Sequence, residues 1–119
     1  MRMRTDMDKK ISVSIMCVDF FKLEECIKTL EEQCIDLIHV DIMDGSLVPN
    51  FTLGTDFVKA LKANTTIPLD IHLMVENPEN KLDWFEFGEG DYVSVHYETA
   101  KHLHKAITAI KAKGAKAMV

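Results

Sequence analysis

Four segments of the chain alternate apolar residues with residues that can do chemistry. Ile11 to Val18, ISVSIMCV, sets Ser12, Ser14 and Met16 against Ile11, Val13, Ile15 and Cys17. Ile38 to Gly45, IHVDIMDG, sets His39, Asp41 and Met43 against Ile38, Val40 and Ile42, and Leu69 to Val75, LDIHLMV, sets Asp70, His72 and Met74 against Leu69, Ile71, Leu73 and Val75. Tyr92 to Glu98, YVSVHYE, repeats the pattern with Ser94, His96 and Glu98. A period of two, rich in β-branched residues, predicts strands that bury one face. The other face is either solvated or lines a site.

Between the strands the apolar spacing changes to three and four. Asp19 is placed to cap a helix with the stripe Phe20, Leu23, Ile27 and Leu30. A short helix near Thr55 to Ala63 carries Phe57, Val58 and Leu61. Asn77 and Pro78 form a cap and first-turn pair for a third helix that buries Leu82 and Phe85. Thr99 precedes a fourth, with Leu103, Ala106, Ile107 and Ile110 inward and Gly114 as its stop.

Alternating strands and helices predict a parallel sheet joined by right-handed crossovers. A doubly wound open sheet buries both strand faces and would need both to be apolar. Here the second face of every strand is polar toward its C-terminal end, where a TIM barrel keeps its active site. The expected fold is therefore α/β, a parallel (β/α) TIM barrel of which the chain holds the first four β/α units. Residues 1–10 read as an N-terminal extension and 11–119 as the half-barrel, ending at Ala117-Met118-Val119, the opening of strand five.

Composition narrows the class further. With 119 residues, 47% hydrophobic and 28% charged, the chain is an ordinary single globular domain. Its formal charge of −5 opposes binding to polyanions, so no nucleic acid partner is expected. No apolar run is long enough for a membrane span, and a soluble, cytoplasmic protein is the expectation. Cys17, Cys26 and Cys34 form no C-x-x-C pair; their odd number favours reduced thiols, expected as small buried hydrophobes.

Four stretches, SIMCVDF at Ser14 to Phe20, IHVDIMDG followed by VPNFTLG at Val48 to Gly54, PLDIHLMV at Pro68 to Val75, and SVH at Ser94 to His96, occur in an order and spacing that resemble one family. From about Ile11 to Val119 the chain is similar to the N-terminal half of the ribulose-phosphate 3-epimerase family, with the sister D-allulose-6-phosphate 3-epimerase also similar. The resemblance implies reversible epimerisation at C3 of ribulose 5-phosphate to xylulose 5-phosphate in the pentose phosphate pathway, through an enediolate. Val13 stands where the family has a proline, and Ser46 where it has a histidine; neither change removes a metal ligand.

Such chemistry needs a base, an acid and positive charge beside the enediolate, and His39, Asp41 and His72 suit zinc or another first-row ion. The resemblance implies that these three residues hold a divalent metal, Zn2+ foremost and Fe2+, Mn2+ or Co2+ as alternatives. Asp41 would also be one of two acid/base carboxylates. Ser14, His72 and Met43 would contact the pentulose phosphate, and Met16 and Met74 would help Met43 wall the enediolate off from water. Asp70 is expected to orient a ligand from behind, His96 to be a hydrogen-bonded structural residue, and Asp44 with Gly45 to turn the chain. Glu98, His102 and His104 read as solvated.

By the same resemblance, the second acid/base aspartate, also the fourth ligand, and the glycine-rich phosphate loops belong to a C-terminal half-barrel. The chain alone is thus expected to be an inactive fragment. Two alternatives accompany that reading: a non-catalytic half-barrel binding module, and a homo-oligomer closing the sheet edges.

Overall fold

The computed structural model describes residues 9–119, so most of the N-terminal extension lies outside the described residues. Five strands, β1 (Ser12–Ser14), β2 (Leu37–Asp44), β4 (Leu69–Met74), β5 (Tyr92–Val95) and β6 (Lys116–Met118), pair in parallel in that spatial order. The order never reverses along the chain. Crossovers between successively neighbouring parallel strands, when they share the usual right hand, put the connecting helices on one face, as in a (β/α) barrel and unlike a doubly wound sheet. The fold is α/β, with the strand order of half a TIM barrel. An unforeseen two-residue strand, β3 (Phe51–Thr52), pairs antiparallel with the end of β2.

Helices α1 (Leu23–Glu32), α2 (Thr55–Asn64) and α3 (Leu103–Ala112) bury Ile27, Val58 with Leu61, and Ala106 with Ile110, respectively. These join Ile38, Val40, Ile42, Leu69, Ile71, Leu73, Val93 and Val95 in one core, so the apolar half of β2, β4 and β5 is the buried half; in the first segment, at the sheet edge, only Ile15 is buried, with Val13 half-buried and Ile11 59% exposed. None of the helices among the described residues is long and apolar enough to cross a membrane.

Several local expectations need correction. The first strand stops at Ser14; Ile15 still donates to the carbonyl of His39, and Val18 closes a turn onto Ile15. Asp19 does cap, but onto a 3-10 turn, Phe20–Lys22, that leads into α1. The helix expected after Asn77 is instead two 3-10 turns, Pro78–Asn80 and Leu82–Trp84. Asn77 lies in the left-handed region at φ 49° and makes no side-chain cap bond. After Leu82 the buried positions are Phe85 and Phe87, spaced by three and then two, so no stripe sustains an α-helix.

Thr99 does not start α3 either. Its hydroxyl donates to the His96 carbonyl, its own carbonyl accepts from Asn77, and the helix begins after His102. Gly114 ends it as expected, at φ +88° with Glu89 backbone 3.4 Å from where a Cβ would stand. The cysteines are free, but Cys17 and Cys34 are exposed instead of buried, because both fall in the turns that flank α1 and not in core positions.

Asp44 closes the turn expected of it. Gly45 adopts φ 87°, and the Asp44 carboxylate accepts from the Ser46 and Glu76 backbone N–H groups, the Ser46 hydroxyl and the Lys81 ammonium. Desolvation opposes ionisation, but these four donors outweigh it and hold the carboxyl far below the usual carboxylate range. A depressed folded-state pKa stabilises above the unfolded value near pH 4, and that stability is lost as pH falls below it. Asp44→Asn should therefore be less stable at neutral pH and lose less on acidification below about pH 4. Denaturant midpoints across pH check this; parallel curves for the two proteins would contradict it.

Candidate metal centre

Parallel pairing sets cross-strand partners side by side on the same sheet face, so register decides which polar side chains meet. One row runs Ser14, His39, Asp70 and Tyr92. The next row runs Asp41, His72, Ser94 and Met118, and beyond it Met43 faces Met74. The row order carries the side chains from the N-terminal toward the C-terminal strand ends.

His39, Asp41 and His72 thereby converge, each offering one ligand atom with all three atoms within 4.8 Å of one another. His39 Nε2 and His72 Nδ1 each lie 3.0 Å from the same oxygen, Asp41 Oδ1. The three side chains are 15–27% exposed, sheltered but reachable. The two imidazole rings are tilted, with centroids 5.7 Å apart.

Asp70 holds His39 from behind. Its Oδ2 is 2.7 Å from His39 Nδ1 and accepts from the Ser12 hydroxyl at 2.9 Å. A carboxylate only accepts, so Nδ1 facing Asp70 is a donor, and Nε2 facing Asp41 either donates a second proton to it or turns its lone pair to a cation placed between them. This is the carboxylate–histidine arrangement found behind metal-ligating imidazoles. Burial lowers the His39 pKa, but Asp70 and Asp41 together overcome it and raise the imidazole above its ordinary value. The site thus attracts positive charge, as a second proton on His39 or as a cation. Two carboxylates, with Asp70 Oδ1 buried and unpartnered among the described residues, leave a net negative pocket around two borderline-soft nitrogens. That donor set fits a divalent first-row ion.

Other expected residues fall around this centre. Ser14 Oγ, one row from Asp41, accepts from Met16 N–H at 3.3 Å. Met74 is buried, Met43 half-buried and Met16 41% exposed beyond the end of β1, so the methionines do not form one closed wall within this chain. His102 and His104 are exposed, as expected. His96 is hydrogen-bonded, but its partners were not foreseen: Nε2 lies 2.6 Å from His72 Nε2, with the rings stacked at 4.9 Å, and Nδ1 lies 3.0 Å from Glu98 Oε1. Glu98, though exposed, is therefore tied to the centre; its carboxyl is held below the ordinary value by a bond from its own backbone N–H and then by His96. The spacing H-x-E at the end of a strand was the available signal.

A cleft of about 430 Å3 opens beside the centre, lined by His72, Ser94, His96, Tyr97, Glu98 and Met118. A second hollow of about 350 Å3 lies between α1 and α2 and contains none of the histidines. The cleft is where a ligand can approach His72.

A family model described as the ribulose-phosphate 3 epimerase family matches residues 10–119. The chain belongs to the ribulose-phosphate 3-epimerase family. It is 44% identical over 110 residues to ribulose-phosphate 3-epimerase of Bacillus subtilis (strain 168), covering 92% of this chain and 51% of that protein. It is 46% identical over 111 residues to the chloroplastic ribulose-5-phosphate-3-epimerase of Arabidopsis thaliana, covering 92% and 40%. With ribulose-phosphate 3-epimerase of Methanocaldococcus jannaschii it shares 44% identity over 110 residues, covering 92% and 46%. The chain spans about half the length of these curated relatives. The family is one of isomerases acting on carbohydrate phosphates.

Proposed function

We propose that residues 11–119 supply the metal-binding half of a ribulose-phosphate 3-epimerase, with residues 1–10 as an extension, and that His39, Asp41 and His72 hold a divalent ion, zinc foremost. The observation that carries this reading is the convergence of His39 Nε2 and His72 Nδ1 on one oxygen of Asp41 in a chain of this family. When bound, the ion supplies positive charge that stabilises the developing enediolate. Asp41 takes up and returns the C3 proton on one face of the pentulose phosphate. His39, locked by Asp70, fixes the ring that flanks this carboxylate, and Ser14 donates a hydrogen bond to substrate. Met43 and Met74 present soft apolar surface to the planar intermediate, which disfavours protonation by water.

Inversion requires an acid on the opposite face, and a C-terminal half-barrel is the partner that fits. Strands β1 and β6 each pair on one side only among the described residues, so each leaves a row of backbone groups for strand addition. A second copy of this chain is the other candidate for those edges. Free thiols and an acidic charge balance favour a cytoplasmic setting.

The test is a chimera joining residues 11–119 to the C-terminal half of the Bacillus subtilis relative. It is expected to convert ribulose 5-phosphate to xylulose 5-phosphate, with the isolated chain forming none. Asp41→Asn in the chimera should lower turnover by about 10²–10⁴-fold, the usual worth of a positioned acid/base group. Unchanged turnover in that variant would refute the role of Asp41.

A further inference from the structure

Lys10, Tyr92 and Lys116 form a cluster at the N-terminal end of the strands that the metal centre does not use. The Lys10 and Lys116 ammoniums lie 3.3 Å and 3.4 Å from the Tyr92 hydroxyl oxygen, and 5.6 Å and 5.3 Å from the centre of its ring. Lys10 stands just before β1, at one edge of the sheet, and Lys116 opens β6, at the other. Tyr92 begins β5, in the row of His39 and Asp70. Strands β1 and β5 are three places apart, about 14 Å along a flat sheet at the usual spacing. Side chains perpendicular to such a sheet would keep that separation, so a bond from Lys10 to Tyr92 means that the polar face is concave.

Every group this cluster has left to offer is a donor. The phenol oxygen accepts from both ammoniums, its O–H finds no acceptor among the described residues, and each ammonium keeps further N–H groups. No carboxylate among the described residues pairs with either lysine, in a chain of 19 acidic and 14 basic residues. Hydrogen bonds from Lys10 and then Lys116 hold the phenol below its ordinary pKa, against desolvation, so the spot favours negative charge. We infer that this cluster is a docking contact for a C-terminal half-barrel, which covers the concave face and seats an aspartate or glutamate carboxylate between Lys10, Lys116 and the Tyr92 hydroxyl. The inference rests on the reading above that such a half-barrel completes the fold, and it names the chemistry of the contact. Charge disfavours a second copy as the occupant, since it would bring the same two ammoniums to the face, donor against donor.

The experiment compares the 119-residue chain with a chimera joining that whole chain to the C-terminal half of the Bacillus subtilis relative. Replacing both lysines, Lys10→Met with Lys116→Met, keeps the apolar stems beside the Tyr92 ring and removes the charge. Both lysines are exposed in the isolated chain, and there the double variant should melt within about 3 °C of its parent. In the chimera the partner's carboxylate is left buried and unpaired, and the double variant should melt lower by about 6 °C or more. Lys10→Arg with Lys116→Arg keeps charge and donors, and should recover most of that loss. Circular dichroism reads each melt, and sedimentation of the isolated chain reads self-association. A chimera indifferent to the methionine pair, equal losses in both proteins, or a chimera without a cooperative melt would overturn the contact. So would a dimer of the isolated chain that the methionine pair weakens, which assigns the face to a second copy. Conversion of ribulose 5-phosphate is followed on the same samples. A chimera with the expected melts that forms no xylulose 5-phosphate keeps the contact and refutes the epimerase reading, whereas an active chimera indifferent to the methionines refutes the contact alone.

Discussion

Alanine at His72 should lower zinc affinity by more than about 100-fold, since loss of an outer-shell partner alone costs 10–100-fold and this removes the ligand itself. His72 is the cleaner choice of the two histidines. It is 27% exposed at the side chain, its row neighbours Asp41 and Ser94 stay in place, and the buried residues of β4 are untouched. His39→Ala should lose as much affinity but also strip Asp70 of its strongest partner. Asp70 would then keep only the Ser12 hydroxyl at a buried position, and stability should fall along with binding. Competition with a chelator, done beside thermal unfolding, separates the two effects. Zinc retained equally by the parent and His72→Ala would eliminate the proposed ligand set.

The second large effect lies at the opposite end of the strands. Asp91 precedes β5 with its side chain fully buried, and accepts from the backbone N–H of Leu69 at 2.8 Å and of Gly88 at 2.9 Å, and from Lys62 Nζ at 2.6 Å. These bonds tie the start of β4, the turn before β5 and the end of α2 to one carboxylate. Alanine there leaves two N–H groups unpaired, each costing on the order of 1–3 kcal/mol. The Lys62 ammonium, 31% exposed, recovers water and limits the loss. The sum should be about 3 kcal/mol, which for a domain of this size lowers the melting temperature by roughly 15 °C. Asp91→Asn keeps one acceptor and should lose less. A melting temperature within about 3 °C of the parent for Asp91→Ala would show that the carboxylate is not a structural tie.

Much of this architecture was legible in the amino-acid order alone. Alternation over IHVDIMDG and LDIHLMV assigns two strands and both of their faces, because a side chain in a strand has only two directions to point. The apolar half had to be buried, and that puts His39, Asp41 and His72 together on the other half. His39 and Asp41 on one strand with His72 on another already suit a metal ion, since imidazole and carboxylate at a spacing of two point into one space.

What the sequence left open were the relations that depend on distant segments. Register is one: sliding β4 by two residues against β2 would keep every face and move Asp70 away from His39. The end of a short helix is another. Pro78 to Phe85 carries the punctuation of an α-helix, yet Leu82, Phe85 and Phe87 are claimed by the core at spacings a 3-10 turn and an extended segment satisfy. His96 and Glu98 read as a structural histidine and a solvated acid because their partner, His72, is 24 residues from His96 in sequence and is brought near by the pairing of β5 with β4. Asp91 went unnoticed for the same reason, as its donors come from three separate elements. Local order sets which way a side chain points, because backbone sterics act between neighbours along the chain. Only the packed sheet sets what it points at, because that contact is chosen by burying the whole apolar face at once.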